Sequence, residues 1–259
     1  MRAVFMGKHK RSAAMALDHL VEAGAEVAAV VAPDPAGTEH QSQRLDLAAS
    51  RHGLRLASDG ELYAEIADGS LADVDLVLSF LFWKRIRQPA IELGAAGCLN
   101  FHPAPLPDFR GLGGINVAIL EGCEAWGVSC HFVDERFDSG DLVEVERFAI
   151  DGRAETAFSL DLESQERLLG LFERVIRLAL SGREMPRAPQ GEGRYVTREE
   201  FEALRAVRPG DDLERKVRAF WYPPYPGAEL ELEGRRLTLV DESLLAQVAN
   251  AYRDSGRIP

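Results

Sequence analysis

Arg2-Ala-Val-Phe-Met-Gly-Lys-His-Lys-Arg-Ser12 begins with a short apolar run closed by glycine. It then reaches Ser12, a natural N-cap before Ala13, Leu17, Leu20 and Val21 at helical spacing. This reads as a strand feeding a helix. Gly24 ends that helix, and Val27 to Ala32 is apolar throughout, as a parallel strand covered on both faces must be. The β-α-β rhythm continues with a helix at Leu45–His52 and strands at Leu54–Ala57 and Leu76–Ser79. A helix near Ala90–Ala96 and a strand at Gly97–Asn100 follow. Such alternation predicts an α/β fold with a doubly wound, mostly parallel, Rossmann-like sheet. Asp34 to Gln43 has no apolar periodicity and reads as a mobile loop.

After Asn100 a Pro- and Gly-rich stretch leads to a helix near Ile115–Glu121. Two β-rich runs come next, Trp126–Val133 and Leu142–Ala149, so the second half of the sheet should be mixed. Leu168, Leu171, Phe172, Val175 and Ala179 mark an amphipathic helix that Gly182 can end. Pro186 to Gly193 suits a linker, which divides the chain into 1–190 and a small C-terminal α+β part, 191–259. That part should hold two short helices, 197–206 and 211–220, a hairpin about Glu233-Gly234-Arg235, and a last helix over Ser243–Tyr252.

The chain has 259 residues, of which 46% are hydrophobic and 28% charged, the balance of a globular protein with a core to bury. A formal charge of −12 disfavours nucleic acid as a partner. The longest apolar run, Leu76 to Trp83, is too short to span a bilayer. Met1-Arg2 opens nothing like a secretory signal, so the cytoplasm is the expectation. Cys98, Cys123 and Cys130 form no C-x-x-C pair, and neither a zinc nor a disulfide framework is expected.

The sharpest chemical feature is Asn100-Phe-His-Pro-Ala-Pro-Leu-Pro107, followed by Phe109-Arg110-Gly111. In an open α/β sheet, ligands gather beyond the carboxyl ends of strands. Residues 100 and 102 share a face in extended chain, so an amide and an imidazole can address one reacting atom. Phe137-Asp138-Ser-Gly-Asp141 offers a carboxylate at a turn, and a carboxylate beside an imidazole favours the cationic form and orients the ring. His131, one strand before that turn, reads either as facing the site or, more readily, as a satisfied core histidine. Lys8, His9, Lys10, Arg11 and Ser12, between a strand and a helix N-terminus, read either as an anion site for an acceptor phosphate or as a solvated basic turn.

These motifs resemble the formyltransferases that use 10-formyltetrahydrofolate. Asn100 through Gly111 is similar to the family's Asn-x-His-Pro-Ser-Leu-Leu-Pro with a following Arg-Gly step, and Val133 to Gly140 resembles its Asp-x-Gly turn. The likeness covers roughly the first 180 residues. It implies the formyltransferase fold and Asn100, His102 and Asp138 as a catalytic trio acting without metal. It also implies 10-formyltetrahydrofolate as donor, with the pterin between Phe80-Leu81-Phe82-Trp83 and Ser139-Gly140-Asp141. Ala104-Pro105 stand where Ser-Leu is usual, so the loop carrying Pro105, Arg110 and Gly111 loses a hydroxyl near the substrate. Val217 to Ala228, with Trp221 and Tyr222, resembles a segment of sugar N-formyltransferases; these aromatics either stack on a base or sugar or pack the small domain. The resemblance implies formyl transfer to the amine of a nucleotide-linked amino sugar, in a homodimer. The alternatives are methionyl-tRNA or another small amine as acceptor, or hydrolysis of the formyl donor.

Overall fold

The computed structural model describes residues 1–35 and 40–246. In chain order the elements are β1 (Arg2–Gly7), α1 (Arg11–Glu22), β2 (Glu26–Val31), a 3-10 turn (Gln41–Gln43), α2 (Leu45–Arg51), β3 (Leu56–Ala57), α3 (Asp59–Asp68), β4 (Leu76–Phe80), β5 (Cys98–His102), β6 (Phe109–Gly111), α4 (Gly114–Glu121), β7 (Ala125–Phe132), β8 (Leu142–Ala149), α5 (Ala157–Leu180), β9 (Arg194–Val196), α6 (Arg198–Arg205), α7 (Leu213–Phe220), β10 (Ala228–Leu232) and β11 (Arg235–Leu239). Two compact units emerge. The first comprises 1–110, 127–148 and 163–194, and the second 111–126, 149–162 and the described residues from 195 on.

The first unit holds a seven-stranded sheet in the order β3-β2-β1-β4-β5-β7-β8. The pairs β2–β3, β1–β2, β1–β4 and β4–β5 are parallel, and β5–β7 is antiparallel. β1 is apolar on both faces because both are covered, whereas β4, β5 and β7 turn apolar residues to one face and carry Ser79, Asn100 and His131 on the other. On one face Phe5, Phe80 and Phe101 pack against Phe172 of α5, with Phe101 and Phe172 ring centroids 4.8 Å apart. On the other, Val4, Met6, Ala29, Val77 and Cys98 share a core with Leu62 of α3. In the second unit, Asn116 of α4 donates to the Ala219 carbonyl of α7 at 2.6 Å. Its β10–β11 hairpin turns at Glu233 and Gly234, both with positive φ as a tight hairpin turn requires. Among the described residues no helix is long and apolar enough to cross a membrane.

Several expectations change. Lys10, not Ser12, is the N-cap of α1, because the Ser12 hydroxyl is buried and donates to Gln165 Oε1 at 2.9 Å. No helix forms over 90–96: the peptide groups there close single turns, and the Ala95 and Ala96 amides donate instead to Val74 and Asp75. Conversely α3 lies where no helix was expected, started by a capping box between Ser58 and Glu61. Within the 34–43 loop, Gln41–Gln43 form a 3-10 turn and 36–39 lie outside the described residues; so does the last helix beyond residue 246, with 242–246 helical. The 186–193 segment is bonded to the sheet unit: Ala188 and Leu142 exchange two backbone hydrogen bonds.

Candidate active site

Strand register sets the site. Ser79 of β4 lies beside Asn100 of β5, and Asn100 lies opposite His131 of β7, so the three side chains form a row on the sheet face opposite Phe80 and Phe101. Ser79 Oγ donates to Asn100 Oδ1 at 2.7 Å. Asn100 Nδ2 meets His131 Nε2 at 3.0 Å, and His131 Nδ1 meets the Phe132 carbonyl at 2.7 Å. A carbonyl only accepts, so Nδ1 carries the hydrogen and Nε2 accepts from the amide. The Asn100 amide is thereby fixed in orientation at both ends, with a second Nδ2 hydrogen to spare.

His102, two residues along β5, is oriented from its far side by the Phe109 carbonyl, 3.2 Å from Nε2. This leaves Nδ1 turned to Asp138, whose Oδ1 lies 3.7 Å from it and also 3.7 Å from His131 Nε2. Those separations exceed a hydrogen bond. Asp138 reaches this point from a turn with φ +52°, a left-handed conformation that aspartate tolerates better than most residues but that still costs of order 1–2 kcal/mol. Gly140 lets the turn pass under β7, since a Cβ there would lie 2.0 Å from the Phe132 carbonyl oxygen.

A cleft with about 460 Å³ of atom-free space opens beside the row, and Ser79, Asn100, His131 and Asp138 line it together with Phe82 and Phe137. Its lining carries both signs of charge: Lys84, Arg85 and Arg136 against Asp134, Glu135 and Asp138. Lys84 lies over the Trp83 ring and Arg85 over the Phe137 ring, at 5.6 and 5.8 Å.

The remaining expected residues divide clearly. Phe80 is fully buried on the opposite face, so only its backbone could meet a ligand. Leu81 takes φ +54°, Phe82 lines the cleft, and the Trp83 ring lies 4.5 Å from that of Phe82. Ser139 shapes its turn by donating to Asp134 Oδ1 at 2.7 Å. The Asp141 carbonyl accepts from the Phe132 amide. In the basic turn, His9 Nδ1 accepts from the Leu45 amide at 3.1 Å and lies 3.8 Å from Asp46, while its buried Nε2 has no hydrogen-bond partner. Arg11 is exposed. Pro105 is buried, and the hydroxyl of Ser129 ties its loop down by accepting from the Leu106 amide and donating to the Ala104 carbonyl. Arg110 donates to Gln190 Oε1 and to the Gly191 carbonyl. Gly111, Trp221 and Tyr222 belong to the second unit, where the Tyr222 hydroxyl donates to Asp161 at 2.5 Å and its ring meets those of Phe158 and Tyr225. Burial, with the Asp161 carboxylate beside it, holds the Tyr222 phenol well above its ordinary range.

Sequence reasoning passed over Ser79 and took His131 for core. Pairing β4 with β5 and β5 with β7 in register was the signal that could have found both. Among the described residues, no group of three or more His, Cys, Asp or Glu is arranged to hold a metal ion.

Comparison with known proteins gives the family and the fold. The family described as formyl transferase matches residues 1–167. A GDP-perosamine N-formyltransferase of Brucella melitensis is 32% identical over 181 residues, covering 69% of this chain and 68% of that protein. A methionyl-tRNA formyltransferase of Novosphingobium aromaticivorans is 31% identical over 252 residues, covering 95% and 82%. The fold is shared with a 4-N formyltransferase from Francisella tularensis (TM-score 0.74, 18% identity, 93% and 97% covered). It is shared also with a Helicobacter canadensis N-formyltransferase solved with folinic acid and dTDP-3-aminofucose (TM-score 0.73, 16% identity, 93% and 89% covered).

Proposed function

The chain belongs to the formyl transferase family, and on that premise we propose that it moves the formyl group of 10-formyltetrahydrofolate to the primary amine of a nucleotide-linked amino sugar. The observation that carries this reading is the Ser79–Asn100–His131 row, with the Asp138 carboxylate 3.7 Å from both imidazoles.

When an amine attacks a formyl carbon, negative charge develops on the formyl oxygen. In this reading the spare Asn100 Nδ2 hydrogen and His102 Nδ1 donate to that oxygen, which places fixed dipoles where the charge appears. With His102 protonated at both nitrogens, Nε2 stays on the Phe109 carbonyl and Nδ1 serves the oxyanion. Asp138 receives the proton lost by the attacking amine and returns it to the departing folate nitrogen. Lys84, Arg85 and Arg136, interspersed with Asp134 and Glu135 along the cleft, offer cations to the carboxylate tail of the folate, and Phe82, Trp83 and the Ser139–Asp141 turn border its ring. Residues 1–190 carry the chemistry in this reading. Residues 191–259, with Trp221 and Tyr222, contribute to acceptor recognition and to a homodimer formed along the exposed edge of β11. Three free cysteines fit a cytoplasmic enzyme.

Methionyl-tRNA is the second reading, favoured by the longer alignment with the Novosphingobium protein. The charge of −12 weighs against a polyanionic acceptor. Incubation with 10-formyltetrahydrofolate and a panel of nucleotide-linked amino sugars decides between them. The expected result is a product heavier by one CO unit from at least one sugar. No such product, with turnover on charged tRNA, overturns the first reading; light scattering of the purified chain tests the dimer.

A further inference from the structure

We infer that Gln190, in the strap between α5 and β9, is a positioning residue that locks the His102 loop to the Asp138 turn; its role in turnover rests on the formyl-transfer reading. Its amide spans the two segments. Oε1 accepts from Arg110 Nε at 3.2 Å and Nη2 at 2.9 Å, and Nε2 donates to the Gly140 carbonyl at 2.6 Å. A guanidinium only donates and a carbonyl only accepts, so the two ends of the amide are assigned without ambiguity.

The bonds close a ring around the chemistry. Arg110 follows Phe109, whose carbonyl orients His102 through Nε2. Gly140 lies two residues after Asp138, whose carboxylate faces His102 Nδ1. Gln190 therefore joins the element that aims the imidazole to the element that aims the acid, while touching neither reacting group. The strap is itself anchored: Arg187 lies 3.5 Å over the Phe132 ring, Ala188 pairs with Leu142, and a Cβ at Gly193 would lie 1.7 Å from the Pro107 carbonyl oxygen. A neutral amide suits the position because glutamate would set a carboxylate against the Gly140 carbonyl and lysine would set a cation against Arg110.

The test uses the full chain with Gln190→Met, which removes both arms at similar length, and Gln190→Glu, which keeps the Arg110 arm alone. Both should lower kcat by about ten- to a hundredfold, as ångström-scale misplacement does. KM for 10-formyltetrahydrofolate should stay within about threefold and the thermal midpoint near that of the parent. The His102 ring ¹⁵N signals, identified by their loss in His102→Asn and read at one fixed pH, should move in both variants. Unchanged kcat, unmoved ring signals, or a kcat loss that merely follows a fallen midpoint overturns the inference. The ring signals need no turnover: if the parent formylates no amine, the functional reading falls, and those signals alone decide whether Gln190 sets the His102–Asp138 geometry.

Discussion

Replacing Asn100 by alanine separates an oxyanion donor from a structural amide. Asn100→Ala deletes the spare Nδ2 hydrogen and also strands two buried partners, Ser79, which is 1% exposed, and His131, which is 2% exposed. Loss of one preorganised donor to a developing oxyanion costs about 2.7–4 kcal/mol of transition-state stabilisation, or about a hundred- to a thousandfold in rate. Leaving these two buried groups unsatisfied, at about 1–3 kcal/mol each, should lower folding stability by about 2–6 kcal/mol. Ser79→Ala is the control, because it removes one of the same two bonds and leaves the donor. It should cost about 1 kcal/mol of stability and less than about tenfold in rate. Steady-state kcat/KM for formyl transfer and urea unfolding of the same preparations give both quantities. Asn100→Ala within threefold of the parent, or equal rate losses in the two variants, would refute the assignment of Asn100 as a donor.

Gly140→Ala forces a Cβ into the Phe132 carbonyl and should destabilise by about 1–3 kcal/mol or displace the Asp138 turn. Unfolding and kcat measured together would show one or the other, and an unaffected variant would contradict the close approach. The Arg44 hydrogen bond, opposed by burial and helped by the Arg44 and His9 charges, holds Asp46 below the ordinary carboxylate range. Its stabilising contribution should be full above that range and fade as pH falls through the lowered value, so Arg44→Met should flatten this part of the acid unfolding curve. An unchanged curve would count against it. Burial pushes the Cys98 and Cys130 thiols up, so thiol reagent at pH 8 should leave both unmodified until guanidinium unfolds the chain. Peptide mapping after native labelling checks this, and modification of either in the folded protein refutes it.

The doubly wound sheet was legible because apolar runs alternate with 3.6-period segments, and the antiparallel turn of β7 followed from the change of rhythm after Asn100. Asn100 and His102 were legible from the two-residue period of an extended segment. What escaped depends on pairing between distant strands: no local pattern says that Ser79, Asn100 and His131 stand in one row. Ser12 misled because its hydroxyl has a better partner in Gln165, 153 residues away. The segment 90–96 misled because its apolar spacing suits a helix, whereas Gly94 packs so closely that a Cβ would lie 2.4 Å from the Gly97 carbonyl oxygen. Helix α3 was missed although Ser58 and Glu61 stood at capping-box spacing. Pro, Gly and charge in 186–193 concealed a segment held by hydrogen bonds, because composition does not record where a backbone finds its partners.

The antiparallel register of β7 against β5 has a bearing on how such a chain can change in length. His131 faces the site because it stands opposite Asn100; one residue gained or lost inside β7 would exchange it for Cys130 or Phe132 and turn the imidazole to the far side of the sheet. Insertions after Arg110 leave the strand register unchanged, whereas those in 103–110 would move Phe109 and Arg110, which hold His102 and Gln190. A single-codon deletion library across 98–132 should therefore lose activity within 98–110 and within β7, with the greater tolerance between them.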